Sequence, residues 1–186
     1  MSQQPAILDS IIKQFMYYRT LGEKAMRQLE PEQWFVSPNE DSNSIAVIVK
    51  HLHGNMLSRW TDFLTSDGEK EWRNRDDEFE EDTADPEQVW QRWQQGWDCL
   101  IQTLEHMQPE QLEQIIYIRN EGHTALEAIN RQLCHYPYHV GQIVYIAKML
   151  KHGSWDSLSI PKRQSNDYNE KKFAAPPVRR HFTEEV

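Results

Sequence analysis

The segment Arg131-Gln-Leu-Cys-His-Tyr-Pro-Tyr-His-Val-Gly-Gln-Ile143 places His135 and His139 four residues apart within a long stretch of apolar periodicity. Residues four apart on a helix lie one turn above each other on the same face, so both imidazoles can reach one metal ion. Chance alone gives about 0.3 such pairs in a chain of this composition, so the spacing by itself is a weak motif. A third ligand must come from another helix, and His51 and His53 are the candidates.

Apolar periodicity predicts the helices of the chain. Four segments carry apolar residues three and four positions apart, as in an amphipathic helix: residues 6–29, 44–65, 85–107 and 124–151. Pro137 lies inside the fourth segment, where it removes one backbone donor and predicts a kink between His135 and His139. Seven tryptophans and only seven glycines are typical of a helical bundle with aromatic side chains in its grooves. The sequence therefore predicts an all-α fold.

The remaining segments are predicted to be irregular. Residues 114–119 include four consecutive apolar side chains and predict a short extended segment before a turn. The mixed charge run over residues 73–85 predicts a solvated connection. The periodicity is lost after Gly153, and from about Glu170 we expect a mobile tail or a segment ordered by a partner chain. We predict one domain over residues 1–165 and a C-terminal tail over residues 166–186.

Composition and charge argue against several classes of protein. Twenty Lys and Arg against twenty-nine Asp and Glu give a formal net charge of −9, which opposes binding to nucleic acid. The apolar runs are broken well before the roughly 18 residues that a membrane helix needs, so we expect no membrane insertion. Cys99 and Cys134 lie on different predicted helices, and no N-terminal apolar run precedes a cleavage site. We therefore expect a reduced, cytoplasmic protein.

The choice between His51 and His53 as the third ligand is left open by periodicity. At about 100° per residue, His53 lies about 80° from the centre of the apolar stripe of the second helix, and His51 about 120° on the other side. This difference slightly favours His53, but it is smaller than the uncertainty in the centre of such a stripe. A metal site can also lie on the flank of a helix, where a third helix approaches.

Short motifs extend from the second predicted helix to the segment after the fourth. They are Ser44-Ile-Ala-Val-Ile48, Lys50-His-Leu52, Gly54-Asn-Met56, Ser58-Arg-Trp-Thr-Asp-Phe-Leu-Thr65, Asp67-Gly-Glu-Lys70, Arg73-Asn-Arg-Asp76, His135-Tyr-Pro-Tyr-His-Val-Gly-Gln-Ile-Val144 and Ser157-Leu-Ser-Ile-Pro161. With these motifs the sequence resembles the DinB-like helical-bundle superfamily of small bacterial proteins. The resemblance covers nearly everything from the first helix to about residue 165, and it implies an up-down four-helix bundle.

The resemblance also implies a three-histidine metal site. The ligand from the second helix is the histidine immediately before Leu52, which is His51, and the pair from the fourth helix is His135 and His139. Zinc or nickel is the implied metal, and imidazole suits both. The chain departs from related proteins at Tyr138, where another histidine is common, which removes a proton shuttle from that position.

Polar side chains near the three histidines are candidates for orienting the imidazole rings. Asn55 lies one turn after His51, and Gln132 and Gln142 lie near the pair on the fourth helix. Such partners fix which ring nitrogen carries the proton and which one binds the metal.

The DinB-like superfamily includes thiol S-transferases, which join a low-molecular-weight thiol to an electrophile, and mycothiol-dependent isomerases. Three protein ligands leave room for water or substrate on the metal, as in catalytic sites. We therefore expect a homodimeric, metal-dependent S-transferase-like enzyme that acts on a small electrophile. The alternatives are a metal-containing stress protein without turnover and a dimeric interaction module that has lost catalysis.

Overall fold

The computed structural model describes residues 6–185, which contain five α-helices and one β-hairpin. The helices are α1 (Ala6–Met26), α2 (Ile45–Trp60), α3 (Pro86–His106), α4 (Ala125–Leu150) and α5 (Ser165–Phe173). The strands are β1 (Ile115–Ile118) and β2 (Glu121–Thr124), which pair antiparallel. The protein is thus mostly helical, as predicted, but it is not purely α-helical. Residues 1–5 of the predicted domain and Val186 of the predicted tail lie outside the described residues.

The three helices after α1 begin where the sequence predicts them to begin. Ser44 and Asp85 each accept a hydrogen bond from a backbone N–H in the first turn of α2 and α3. Thr124 accepts from the backbone N–H of Glu127 at 3.1 Å, and the Glu127 carboxylate accepts from the backbone N–H of Thr124 at 2.8 Å. This reciprocal pair satisfies donors that the start of α4 would otherwise leave without partners.

Helices α1 and α2 end earlier than predicted. α1 stops at Met26, whose carbonyl oxygen accepts a hydrogen bond from the indole of Trp34 at 3.1 Å. α2 stops at Trp60, because Asp62 has a φ of 50°, which a right-handed helix cannot contain. The indole and the left-handed residue therefore set two boundaries that apolar spacing does not reveal.

Four long helices enclose one aromatic core. α1 packs against α3 and α4, and α2 packs against the same two helices. The ring of Phe15 lies 6.4 Å from the rings of Trp60 and Trp97 and 5.9 Å from that of Tyr136, measured between centroids. These four side chains come from the four helices, so the aromatic cluster ties α2 to α4, the two helices that carry the predicted metal ligands.

The predicted extended segment is the first strand of a hairpin. Arg119 and Asn120 form the turn with φ values of 56° and 62°, and both backbone N–H groups donate to the carboxylate of Asp67 at 2.9 Å. Positive φ at both central residues matches the right-handed twist of a hairpin. The second strand was not predicted, because Glu121–Thr124 lacks the apolar alternation that identifies a strand from sequence.

The segment predicted as a tail contains helix α5, which the sequence analysis did not predict, and a final turn at Phe182–Glu185. α5 has no buried residues, so its sequence lacks the apolar stripe from which a helix is predicted. The final turn lies against α1: His181 is 3.0 Å from the hydroxyl of Ser10, and Lys13 donates to Glu184 at 3.1 Å. None of the helices within residues 6–185 is both long and apolar enough to cross a bilayer.

Candidate metal centre

Three histidine side chains meet between α2 and α4. His51 comes from α2, and His135 and His139 lie one turn apart on α4, on either side of Pro137. Nε2 of His135 lies 3.4 Å from Nε2 of His51 and 3.1 Å from Nε2 of His139. One nitrogen of each ring lies within 4.8 Å of the other two. The structure therefore brings together the three histidines that the resemblance assigned as metal ligands.

The opposite nitrogen of each ring, Nδ1, contacts one side-chain oxygen. The pairs are Nδ1 of His51 with Oε2 of Glu78 at 2.9 Å, Nδ1 of His135 with Oε1 of Gln132 at 3.1 Å, and Nδ1 of His139 with Oε1 of Gln142 at 2.8 Å. Carboxylate and amide oxygens only accept hydrogen bonds, so each Nδ1 carries the proton. In a neutral ring Nε2 then carries the lone pair, so the three Nε2 atoms that meet here are available as metal ligands when the imidazoles are neutral.

Burial keeps the pair on α4 uncharged. Burial, with added repulsion from His139 and His51, lowers the pKa of His135 to about 3. Burial also lowers the pKa of His139, although the hydrogen bond to Gln142 acts in the opposite direction. Neutral imidazole is the form that coordinates a metal, because the proton of a charged ring occupies the same lone pair. At neutral pH this pair therefore offers nitrogen ligands without a competing proton.

Glu78 orients His51 from a short turn, Asp77–Phe79, that packs against α2. Glu78 is 5% exposed, and Arg73 donates to both of its oxygens, to Oε1 at 2.7 Å and to Oε2 at 2.9 Å. Burial alone would raise the pKa of Glu78, but the hydrogen bonds from His51 and Arg73 hold it below its usual value. The carboxylate is thus ionised, and it makes the neighbouring imidazole a stronger ligand.

Most of residues 73–85 are exposed, as the predicted solvated connection requires, but the prediction is wrong for Arg73 and Glu78. The side chain of Arg73 is only 2% exposed, and Glu78 is buried beside it. Gly54 makes room for them, since a Cβ at this position of α2 would overlap the carboxylate of Glu78. Charged groups can be buried in this way when they pair with each other and fill their remaining hydrogen bonds, which a charge pattern along the sequence does not show.

A cavity of about 530 Å³ adjoins the three histidines. Phe79 forms one part of its wall, with its ring stacked on that of His51 at 4.8 Å between centroids and the guanidinium of Arg75 at 5.1 Å from the ring centroid. The cavity is lined by His51, Asn55, Arg59, Arg73, Arg75, Phe79, Arg119, Arg131, Gln132, His135, Tyr138 and His139. The histidine nitrogens are therefore accessible to a small molecule.

The donor set fits a divalent metal ion. Two nitrogens bound tetrahedrally to zinc at about 2.0–2.1 Å lie about 3.3 Å from each other, close to the 3.1 and 3.4 Å separations of the Nε2 atoms. Within the described residues no cysteine or carboxylate joins the group. Three protein ligands leave at least one position for water or substrate, which distinguishes a catalytic from a structural site. His51, His135 and His139 could thus hold a metal ion with an open coordination position.

The chain matches a known protein family over most of its length. A family described as "Protein of unknown function (DUF1572)" matches residues 3–164. The chain belongs to the DUF1572 family. No curated protein and no solved structure matches the chain. The three histidines, Glu78 and the cavity all lie within the DUF1572 region, whereas α5 and the final turn follow it.

Other predicted residues of this DUF1572 chain lie elsewhere or have other partners. His53 points to α3, where its Nε2 lies 3.2 Å from Oε1 of Gln95, and it is not part of the histidine group. Asn55 was predicted to orient an imidazole, but its Oδ1 accepts a hydrogen bond from the hydroxyl of Tyr136 at 3.0 Å. Gln132 and Gln142 hold the positions predicted for them.

Glu78 and Arg73, which support the histidine group, were not predicted as site residues from the sequence. Two features of the sequence point to them in retrospect. Gly54 lies within α2 one turn after His51, and Phe79 is the one apolar residue among the many charges of residues 73–82. A glycine within a helix indicates close approach of another group, and an aromatic residue in a charge run indicates local burial.

Proposed function

We propose that this protein is a metal-dependent enzyme of the DinB-like superfamily, in which His51, His135 and His139 bind zinc or nickel. In this proposal α1 to α4 form the up-down four-helix bundle of that superfamily. Membership of the DUF1572 family and the packing of four long helices around one core support this assignment. The observation that carries the metal site is the meeting of three Nε2 atoms, two pairs of which are 3.1 and 3.4 Å apart, on rings whose Nδ1 atoms each contact an acceptor oxygen.

The choice of zinc or nickel follows from the ligands. Imidazole nitrogen suits both metals, whereas magnesium and calcium prefer carboxylate and carbonyl oxygens. Cys99 and Cys134 are free thiols, and neither belongs to the histidine group. A site of three neutral nitrogens keeps the full charge of the metal, which favours binding of an anionic group at the open position.

We infer that the reaction joins a low-molecular-weight thiol to a small electrophile. A bound zinc or nickel ion would lower the pKa of a coordinated thiol. More of the thiol would then be present as thiolate, which is the nucleophilic form. Glu78, Gln132 and Gln142 hold the imidazoles in the tautomer that leaves Nε2 free. A cavity of about 530 Å³ lies in the range that accommodates a small-molecule substrate.

The predicted homodimer also remains a proposal. Helix α4 exposes large apolar side chains: Tyr138 is 63% exposed, Tyr145 72% and Met149 39%. Such residues on one helix are typical of a surface that a second chain covers.

The experiment that tests this function measures metal content first and thiol binding second. Protein purified without chelators is analysed for zinc and nickel, and the metal-loaded form is then screened by thermal shift against cysteine, glutathione and bacillithiol-like thiols. We expect about one metal per chain and a rise in melting temperature with at least one thiol. The histidine-to-alanine variants are matched controls that should lose both. Metal without any thiol effect would favour a metal-containing protein without turnover, and absence of metal would contradict the proposal.

A further inference from the structure

The charge of the cavity beside the histidines is opposite to that of the chain. Five of the eleven arginines of the chain line this cavity, and within the described part of the chain no acidic residue does. The protein as a whole carries a formal net charge of −9. A clustering of guanidinium groups in an acidic protein is costly, because like charges repel, so it requires a compensating partner.

Two carboxylates, that of the half-buried Glu69 and that of the buried Glu78, supply only part of that compensation. Oε2 of Glu69 lies 3.3 Å from Arg59, 3.1 Å from Arg73 and 3.3 Å from Arg119, so one oxygen serves three guanidinium groups. Glu78 is the second carboxylate and pairs with Arg73. Among the lining arginines and the carboxylates that form ion pairs with them, five positive charges against two negative charges leave an excess of three, before any metal ion is counted.

The unpaired donors are also identifiable. Arg75 and Arg131 are exposed, and neither forms an ion pair with a carboxylate of the described residues, although Arg75 lies over the ring of Phe79. Arg59 is 6% exposed, and its buried Nε has no hydrogen-bond partner among the described residues. Guanidinium N–H groups are strong donors that match the oxygens of a carboxylate or phosphate two at a time.

Arg131 is the donor best placed to act together with the metal ligands. It lies on α4 one turn before His135, and both side chains line the cavity. Arg75 lines the same cavity from a different segment of the chain, over the ring of Phe79, which in turn stacks on His51. A molecule that enters the cavity therefore meets positive charge from α4 and from the segment that carries Phe79.

We propose that the cavity binds a small molecule that carries an anionic oxygen group, carboxylate or phosphate, and that Arg75 and Arg131 are its anchoring residues. This inference deepens the proposed function and rests on it, since it assigns a charge to the thiol or the electrophile that the metal site takes. Arg59, Arg73 and Arg119 are held by Glu69 and Glu78, and they contribute the positive field of the wall. The substrate is thus an acid at neutral pH, and neutral or cationic analogues bind poorly.

The test compares thiols that differ in charge. Zinc-loaded protein is titrated by calorimetry at low ionic strength with mercaptosuccinate, 2-mercaptoethanol and cysteamine, which are anionic, neutral and cationic. Succinate and inorganic phosphate are titrated in parallel into zinc-loaded and metal-free protein, because they carry the anionic group without a thiol. The stronger of these two ligands identifies carboxylate or phosphate as the preferred group. Zinc content is measured after each titration, so that removal of the metal by a thiol is detected.

Two variants and one control distinguish an anchoring role of Arg75 and Arg131 from the effect of the net charge of the protein. Arg75→Gln and Arg131→Gln each remove one cavity charge, and Lys148→Gln removes one exposed charge from the same helix, α4, about 25 Å from Arg131. The three side chains are exposed, so the substitutions should leave the fold intact, which circular dichroism verifies. Each arginine variant should bind mercaptosuccinate and the preferred simple anion about tenfold or more weakly, because a hydrogen bond to a charged group is lost. Lys148→Gln should bind them as the wild type does.

The outcomes separate this inference from the proposed function. Mercaptosuccinate binding at least about tenfold more tightly than 2-mercaptoethanol, with the arginine dependence above, supports the inference. Equal binding of the three thiols, absence of binding by every anion, or equal losses in Lys148→Gln and the arginine variants would overturn it. Stoichiometric zinc together with equal affinity for the anionic, neutral and cationic thiols supports the proposed function and contradicts the inference. Arginine-dependent binding of succinate or phosphate by a protein that takes up no zinc supports the anion site and removes the metal-dependent function.

Discussion

Helices α2 and α4 share two polar clusters, and these clusters satisfy their hydrogen bonds in opposite ways. In the core, Trp60 donates to the hydroxyl of Tyr136 at 3.0 Å, and this hydroxyl donates to Asn55 at 3.0 Å. The indole and the hydroxyl thus each have an acceptor. One residue earlier on α4, Nε2 of His135 faces Nε2 of His51 and of His139. In neutral rings with the proton on Nδ1, all three of these nitrogens are hydrogen-bond acceptors. The core cluster is complete without a ligand, whereas the histidine cluster gains only when a cation enters.

The comparison shows how one helix can serve stability and function in adjacent positions. Successive residues on a helix point about 100° apart, so Tyr136 faces the aromatic core while His135 faces the cavity. A matched polar network in the core stabilises the fold, and a set of acceptors without a donor costs stability until a metal is bound. Substitutions in the histidine cluster should therefore change metal binding, and substitutions in the core cluster should change stability.

The largest effect concerns the two histidines of α2. His51→Ala removes one of three ligands, and His135→Ala and His139→Ala do the same from α4, so we expect metal binding to be lost in each. His53→Ala is the matched control, because His53 contacts Gln95 outside the group, and it should keep full metal content. Metal content and metal-induced thermal stabilisation of the four variants provide the measurement. Retention of metal in His51→Ala with loss in His53→Ala would show that the assignment is reversed.

The next effect concerns Glu78. Glu78→Gln keeps the shape of the side chain but removes the charge that supports His51 and pairs with Arg73. We expect the affinity for zinc to fall by about 10- to 100-fold, the usual range for loss of a group that orients a metal ligand. Competition with a zinc-binding dye measures this affinity. Glu81→Gln is an exposed control in the same segment, and equal affinities of the two variants would show that Glu78 has no such role.

An effect on stability alone is expected from the core cluster. Tyr136→Phe leaves the buried indole of Trp60 without an acceptor and Asn55 without its donor. We expect the free energy of unfolding to fall by about 1–3 kcal/mol, with metal content unchanged. Denaturant unfolding in the presence of chelator gives the free energy. Loss of metal in this variant, with the fold retained, would mean that the two clusters are not independent.

The smallest effect near neutrality is the pH dependence of the metal-free protein. The pKa of His135 is lowered to about 3 in the folded protein, and that of His139 is also lowered, against about 6.5 when unfolded. The unfolded chain therefore binds more protons below about pH 6.5, so these histidines leave the free energy of unfolding unchanged above that pH and lower it progressively toward pH 3. Melting temperatures measured from pH 7.5 to 5 should fall, and His135→Gln should show a shallower fall. Parallel curves for both proteins would rule out His135 as a cause.

Much of the fold and the histidine group could be predicted from sequence because the signals are local. Helix periodicity and the caps at Ser44, Asp85 and Thr124 locate three helix starts to within a residue or two. The four-residue spacing and the resemblance to the DinB-like superfamily together identified the residues that meet. The hydrophobic stripe alone favoured His53, because it does not record which flank of α2 a neighbouring helix covers.

The supporting residues could not be predicted because their positions depend on tertiary contacts. Glu78 lies 27 residues after His51, within a run of charges that is indistinguishable from a solvated loop. Its burial depends on a bidentate contact with Arg73 and on the absence of a side chain at Gly54. The gathering of five arginines from α2, α4, the hairpin turn and residues 73–75 around one cavity likewise has no periodic signature.

The coordination of the bound metal tests the central claim most directly. X-ray absorption spectroscopy of the zinc- or nickel-loaded protein counts the ligand atoms and separates nitrogen from sulfur. We predict three imidazole nitrogens, at about 2.0–2.1 Å for zinc, with a light atom in the remaining position and no sulfur in the absence of added thiol. Sulfur from Cys99 or Cys134, or a shell with fewer than three imidazoles, would contradict a site built from His51, His135 and His139.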